Sequence, residues 1–274
     1  MPIVTTNSIQ LYYEEVGHGV PILFIHELAG DYRSWEPQMR HFARDHRCIV
    51  YSARGYHPSS IPESPDAYSQ AQAAADAIGL LDELGIEQAH IVGLSMGSFA
   101  TLQLGLDYPE RALSLSIAGC GSGSDPETYK DNARRYQAMA ERISTHGYQD
   151  FVDTYSTGPY RQAFMRKDPR GWQEFAQRLA EHSPLGKANT LQGVQGSRPS
   201  IYSLQARLNA LRVPSLILCG DQDTPCLLPS LYLAAQIPDA RLAILPDTGH
   251  TLNLEEPEAF NRHMENFYRS LSAK

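Results

Sequence analysis

Gly93-Leu94-Ser95-Met96-Gly97 follows the apolar run Ala89-His90-Ile91-Val92 and precedes Ser98-Phe99-Ala100-Thr101-Leu102-Gln103-Leu104, which has helical character. A strand that turns abruptly into a helix forces its corner residue into strained backbone geometry. Glycines on either side keep the two arms from colliding. The corner side chain then projects from the sheet edge, and the helix N-terminus beneath it favours developing negative charge. Alone, G-x-S-x-G is a weak match, because the pentapeptide also occurs in ordinary Gly/Ser turns. With a strand before it and a helix after it, it reads as a nucleophile elbow.

Two later stretches extend that reading. Val213-Pro-Ser-Leu-Ile-Leu-Cys-Gly220 has the character of a buried strand and runs directly into Asp221-Gln222-Asp223. Ala240-Arg-Leu-Ala-Ile-Leu-Pro246 reads as another strand, followed by Asp247-Thr248-Gly249-His250. Serine, acid and histidine thus occur in the order Ser…Asp…His, each just past the C-terminal end of an expected strand. In this order and placement the chain resembles the α/β-hydrolase superfamily over essentially its whole length. The resemblance implies an α/β-hydrolase fold, a mostly parallel sheet flanked by helices with an inserted helical cap. It also implies Ser95 as nucleophile, His250 as general base and acid, and Asp223 as the orienting acid. The superfamily's G-D-x-D loop carries its acid at the second Asp, so Asp223 is taken and Asp221 is assigned to the turn.

The rest of the chain alternates strands and helices. Ile3–Thr6 and Ile9–Val16 look like an opening hairpin, and Pro21–Ile25 is a fully apolar buried-strand run. A helix containing Trp35, Met39 and Phe42 follows, then a strand over Cys48–Ser52. Ser69–Leu84 is the strongest helix, with Ala73, Ala77, Leu80, Leu81 and Leu84 on its apolar face and a stop at Gly85. Ala112–Ala118 reads as a strand, and helices are expected near Leu227–Gln236 and Pro257–Leu271. Such alternation implies a mostly parallel sheet with helices on both faces. The 274 residues suffice for one sizeable core.

From about Gly121 to Leu211 the alternation breaks into helical sequence, with Tyr136, Met139, Phe151, Tyr155, Phe164, Trp172, Phe175 and Leu179 spread through it. The resemblance makes residues 122–211 a helical cap over a core formed by 1–121 and 212–274. Most of these aromatics are assigned to packing and a minority to the pocket. The cap carries 12 Lys/Arg and 9 Asp/Glu, a net of +3, while the remainder is net −11. A basic cap could steer anionic substrates, and a solvated helical surface would give the same count.

Composition excludes several classes. A formal net charge of −8 and the lack of any basic run argue against a nucleic-acid partner. Met1-Pro2-Ile3-Val4-Thr5-Thr6 lacks a basic segment followed by an apolar core, and no apolar stretch approaches the roughly 20 residues that span a bilayer. A cytoplasmic, membrane-independent chain is expected, as monomer or homodimer. Cys48, Cys120, Cys219 and Cys226 lack C-x-x-C spacing and read as reduced core thiols, with Cys120 and Cys226 placed near the pocket rim. No G-x-G-x-x-G follows a strand and no H-x-x-x-H lies on a helix, so neither cofactor nor metal is expected.

His26-Glu27-Leu28-Ala29-Gly30 stands where the superfamily has H-G-x-x-G, whose backbone supplies an oxyanion donor. Carried over, the donors are the N–H groups of Leu28 and Met96. Glu27 departs from the usual Gly, and its carboxylate is expected to point away from the hole. Ser52-Ala53-Arg54-Gly55-Tyr56-His57 resembles D-x-R-G-x-G with Ser52 in place of Asp, so Arg54 lacks its usual local acid. Glu27 is the expected replacement partner, with a solvated Glu as the alternative. His26, Glu27 and Arg54 are therefore candidate supporting residues, and His57 a structural one. Of the ten histidines, His41, His46, His146, His182 and His263 read as surface residues.

Hydrolysis of a small carboxylic ester through an acyl-enzyme is the first expectation for the chemistry. Ser rather than Asp at the elbow argues against epoxide and haloalkane chemistry. Carbon–carbon bond hydrolysis of the meta-cleavage type and lactone opening are alternatives that need no new catalytic residue. A slow-turnover receptor or scaffold on the same fold is the alternative of another class.

Overall fold

The computed structural model describes residues 2–272. Eight strands among them form one sheet: β1 (Ile3–Thr6), β2 (Ile9–Val16), β3 (Val20–Ile25), β4 (His46–Tyr51), β5 (Ala89–Leu94), β6 (Ala112–Ala118), β7 (Ser215–Gly220) and β8 (Ala240–Leu245). Their spatial order is β1-β2-β4-β3-β5-β6-β7-β8. β1 and β2 pair antiparallel, as do β2 and β4, and every other pairing is parallel. The opening hairpin and the alternating pattern are thus present at the expected positions.

Neighbouring residues of the central strands serve opposite faces. Leu23, Ile25, Ile91 and Ile217 pack with Leu80, Leu81, Leu102 and Leu233 on one side. Ile22, Phe24, Val92 and Leu218 pack with Trp35, Met39, Phe260 and Met264 on the other. Strands covered on both faces read as continuous apolar runs for this reason. The covering helices include α1 (Glu36–Phe42), α2 (Gln70–Glu83) and α3 (Met96–Asp107). Ser69 caps α2, its side chain accepting from the Gln72 N–H at 3.0 Å.

Between β6 and β7 lie α4 (Tyr129–His146), α5 (Tyr148–Ser156), α6 (Gln162–Lys167), α7 (Pro169–Ala180), α8 (Pro184–Thr190) and α9 (Gln205–Ala210). The apolar interior of this stretch is not separate from the rest. Tyr136, Phe151, Phe164, Phe175 and Leu179 belong to one cluster with Leu28, Ala29, Tyr56 and Met96. The chain closes with α10 (Thr224–Gln236), α11 (Leu252–Glu255) and α12 (Pro257–Ser272). α10 begins three residues earlier than expected, because Pro225 suits the first helical turn, where no N–H is needed.

Register carries the site. Ile25 lies opposite Gly93, Leu94 opposite Ala118, and Gly220 opposite Leu245. The C-terminal ends of β3, β5, β6, β7 and β8 therefore open along one edge, and the loops that follow them meet there. At the corner after β5, Ser95 adopts φ 55 and ψ −113, left-handed backbone that a non-glycine residue holds only when its surroundings fix it. A Cβ at Gly93 would collide with the Gly97 carbonyl oxygen, and one at Gly97 with the Ile25 carbonyl oxygen. Gly97→Ala is therefore expected to cost at least about 1–3 kcal/mol, read as a lower thermal unfolding midpoint. An unchanged midpoint would show that α3 can shift without loss.

Candidate active site

At the common edge His250 Nε2 lies 2.7 Å from Ser95 Oγ, and His250 Nδ1 lies 2.7 Å from Asp223 Oδ2. All three side chains are buried. Asp223 stands at the N-cap position of α10, yet its side chain makes no capping bond because the carboxylate is turned to the imidazole. Asp221 is the turn residue, accepting from the Thr248 N–H at 3.1 Å. The loop holding His250 is anchored by Glu255, whose two oxygens accept from the N–H groups of Gly249 at 2.7 Å and Thr251 at 3.0 Å.

Burial alone would lower the His250 pKa, but the charge and hydrogen bond of Asp223 outweigh it and hold the imidazole above 6.5. An Asp223 oxygen facing Nδ1 requires the proton there, which leaves Nε2 free to accept from Ser95.

His26, Glu27 and Leu28 form the loop after β3. Ala53 N–H donates to His26 Nε2 at 3.0 Å, so Nδ1 carries the proton and donates to the Glu27 carbonyl at 2.7 Å. Gly30 N–H donates to the same carbonyl at 3.1 Å. Because a peptide is planar and trans, holding the Glu27 carbonyl also fixes the direction of the Leu28 N–H. The next carbonyl, that of Leu28, accepts from Tyr56 Oη at 2.9 Å and from the Lys187 ammonium. Met96 is the first residue of α3, where the N–H has no acceptor one turn back.

Glu27 does not pair with Arg54. Arg54 meets Asp76 through two bonds of 2.9 Å, on the side of α2; an acid twenty-two residues on takes the place of the missing local one. Glu27 instead accepts from Arg161 at 2.5 and 2.9 Å, with both side chains buried. Arg161 also donates to Thr251 Oγ1 at 2.5 Å and lies over the Phe175 ring. Burial opposes both charges, and their mutual attraction overcomes it, lowering the Glu27 pKa and raising that of Arg161. The carboxylate is thus turned to the guanidinium.

Three further expectations change. His182 is not a surface residue: it is buried, packs against Tyr56, and its Nε2 lies 3.4 Å from Asp31. His46 is half-buried among the rings of Phe42, His90 and Tyr268. Cys120 and Cys226 are fully buried rather than at a pocket rim, and Cys226 Sγ donates to the Gly119 carbonyl behind Asp223. Asp223, Cys226 and His250 are the one cluster of metal-ligating type among the described residues. Its acid and imidazole are already bonded to each other, and burial holds the thiol well above its ordinary pKa.

Arg161, Lys187 and Glu255 were not singled out in the sequence. Arg161 and Lys187 act across the fold on loops far from them in the chain, and Glu255 acts on the turn four to six residues before it; none belongs to a motif named above. The helical stretch between β6 and β7 roofs a cavity of about 320 Å³, whose walls include Ser95, His250, Met139, Phe151 and Tyr155. That is the lower end of the range for small-molecule sites.

A family model described as the alpha/beta hydrolase fold matches residues 20–257. The chain is 26% identical to a 3-oxoadipate enol-lactonase of Acinetobacter baylyi, over 96% of this chain and 94% of that protein. It is 31% identical to a Variovorax paradoxus protein whose name, RutD, goes with a proposed carbamate hydrolase activity, over 96% and 97% of the two chains. Among solved structures, a thermophilic esterase of Thermogutta terrifontis superposes with a TM-score of 0.86 at 26% identity, covering 98% of this chain and 97% of that one. Among the described residues, no helix is long and apolar enough to cross a membrane.

Two outcomes are expected. Glu27→Gln leaves a buried guanidinium without its counter-ion and should cost about 3–5 kcal/mol of stability. Replacing both partners, as Glu27→Leu with Arg161→Met, should recover most of that loss; a double-mutant cycle by denaturant unfolding measures it. Burial also pushes the His26 pKa down to about 4 and that of His182 down to about 3. The unfolded chain then binds more protons than the folded one below 6.5, so this stability is fully present above 6.5 and lost as pH falls toward 4. The unfolding midpoint should drop across that window, and His182→Gln should flatten the drop.

Proposed function

The chain belongs to the alpha/beta hydrolase fold family, and from that premise we propose that it hydrolyses a small carboxylic ester through an acyl-enzyme. The observation that carries this reading is the pair of 2.7 Å contacts linking Ser95, His250 and Asp223 on the wall of a cavity of about 320 Å³. Residues 1–121 and 212–274 form the core in this reading, and 122–211 the cap that sizes the pocket.

Ser95 Oγ attacks the acyl carbon as its proton passes to His250 Nε2, and Asp223 stabilises the imidazolium. The negative charge that develops on the carbonyl oxygen is met by the N–H groups of Leu28 and Met96, at the N-terminal end of α3. Collapse of the tetrahedral intermediate breaks the acyl–oxygen bond, and the His250 proton leaves with the alcohol. Water then attacks the Ser95 ester with His250 as base, releasing the acid and restoring Ser95. Every step uses side chains and backbone donors of this chain.

Lactone opening is the second reading, favoured by the likeness to an enol-lactonase across nearly the full length of both chains. The same attack opens a cyclic ester, the difference being that the alcohol stays tethered to the acyl group.

A series of p-nitrophenyl esters of increasing chain length, beside a set of lactones, tests the proposal. Turnover with a sharp chain-length optimum is expected, and Ser95→Ala should abolish it. Faster turnover of lactones than of any open ester would favour the second reading. Absence of turnover on all of them, with Ser95 unreactive toward a fluorophosphonate, would overturn both. Because Asp223 raises the His250 pKa, kcat/KM should fall on the acid side with a midpoint above 6.5. Asp223→Asn should lower kcat by roughly 10⁴ and move that midpoint downward, since burial is then the largest influence left on the imidazole.

A further inference from the structure

Most of the charged groups that line the cavity are spoken for. Arg161 is neutralised by Glu27 and Arg142 by Asp150 at 2.5 Å, and the Asp223 carboxylate is taken up by its hydrogen bond from His250. Two guanidinium groups on the wall, those of Arg198 and Arg135, have no carboxylate partner among the described residues.

Arg198 is the informative one, because it is only 5% exposed. It donates to the Ser122 carbonyl at 2.6 Å and to Gln195 Oε1, both neutral acceptors, and lies 3.6 Å above the centre of the Phe99 ring. A guanidinium has five N–H donors, so part of its fork stays available to the cavity. Stacking on an aromatic face and two neutral hydrogen bonds hold the group in place without cancelling its charge. Leaving a buried cation without a counter-ion is costly, and a ligand that supplies the anion removes that cost. Arg135, an exposed residue of the lining that lies over the Tyr136 ring, adds positive potential to the cavity.

We propose that the cavity takes a substrate carrying a carboxylate besides the bond that is cleaved, and that Arg198 is the specificity-determining residue that binds it. The proposal rests on the hydrolase reading above and deepens it. Position sets the spacing. Phe99 follows Ser95 by four residues in α3, about one helical turn or ~6 Å along the axis. Arg198 and Ser95 line one cavity of about 320 Å³, so a second carboxylate held at Arg198 lies within the length of a small molecule from the acyl carbon at Ser95. Half-esters of short dicarboxylic acids, and lactones bearing a short carboxylate arm, fit that spacing. Arg rather than Lys suits the task, since the planar fork meets a carboxylate through two parallel bonds.

Monomethyl glutarate and dimethyl glutarate isolate the charge, because they present the same methyl ester and differ at the far end alone. Methanol release by wild-type protein at low ionic strength is expected to give a kcat/KM at least tenfold higher for the monoester. That ratio should shrink with added salt, fall to one or below in Arg198→Met, and be partly restored in Arg198→Lys, mainly through KM. Equal or faster turnover of the diester by the wild type would overturn the proposal while leaving the hydrolase reading intact. The wild-type ratio decides the matter even where Arg198→Met fails to fold. Should neither ester be turned over and Ser95 not label with a fluorophosphonate, the hydrolase reading fails. The carboxylate site is then judged by whether glutarate, and not glutaramide, raises the unfolding midpoint of the wild type; the absence of such a shift overturns it.

Discussion

One buried ion pair, Glu27 with Arg161, decides how the helical segment meets the rest of the molecule. Two charged side chains, each about 2% exposed, lie 134 residues apart in the chain and meet through bonds of 2.5 and 2.9 Å. Taking both charges out of water is expensive, and the pair is held by its bidentate geometry and by a third N–H that finds Thr251. The consequence reaches past stability. Glu27 belongs to the loop whose backbone faces Ser95, and Thr251 follows His250. The neighbouring Tyr160 carbonyl accepts from the His250 N–H at 3.2 Å. A single short turn, Pro159–Arg161, thus touches both of the loops that flank Ser95.

The same pair explains a departure from the pattern that the loop resembles. A glycine at position 27 would leave the buried Arg161 guanidinium without an anion, and an uncharged residue at 161 would leave Glu27 in the same state. The two positions make sense together or not at all. Lys187 adds a second tie between the helical segment and this loop, through the Leu28 carbonyl, with its ammonium 4.3 Å from the centre of the Tyr56 ring. Burial pushes its pKa down to about 7. The loop after β3 is therefore fixed from below by His26 and Tyr56 and from above by Arg161 and Lys187. Backbone donors that are fixed before substrate arrives need no reorganisation as charge develops.

The fold was legible because its signals are local. Strand ends, the Gly93–Gly97 corner and the apolar period of the helix over 70–83 are written within windows of five to fifteen residues, and the parallel register follows from their alternation. Ser95, Asp223 and His250 could be picked from the chain because each closes a strand, and parallel strands end on a common edge. Choosing Asp223 over Asp221 came from a loop pattern, and the structure turns Asp223 to the imidazole and Asp221 to the Thr248 N–H. Partnerships between distant segments left no such trace. Two departures from the resembled loops, at Glu27 and at Ser52, suggest a Glu27–Arg54 pair, with a solvated Glu27 as the alternative, yet Arg54 meets Asp76, two turns into α2. His182 sits in polar sequence, Glu181-His182-Ser183, and only the docking of the helices buries it against Tyr56. Whether a polar residue is covered depends on tertiary packing that no short window contains.

Charge in the helical segment divides by environment, and the division bears on what enters the cavity. Its surplus of base over acid says little by itself, since much of it is neutralised at the surface: Arg134 pairs with Asp131 and Arg170 with Glu174, both within one helical turn and both exposed. Such pairs are screened and worth little. The two lining arginines that have no carboxylate partner among the described residues lie over aromatic rings instead, the buried Arg198 on Phe99 and the exposed Arg135 on Tyr136. A ring fixes the plane of a guanidinium while leaving its edge, where the N–H groups are, open to another acceptor. A salt bridge would have used that edge. A chain of net charge −8 that keeps uncancelled cations on its cavity wall has its positive potential concentrated where a ligand would meet it. Electrostatic selection of an anionic substrate then needs no excess of positive charge on the protein as a whole, only the placement of two guanidinium groups on rings.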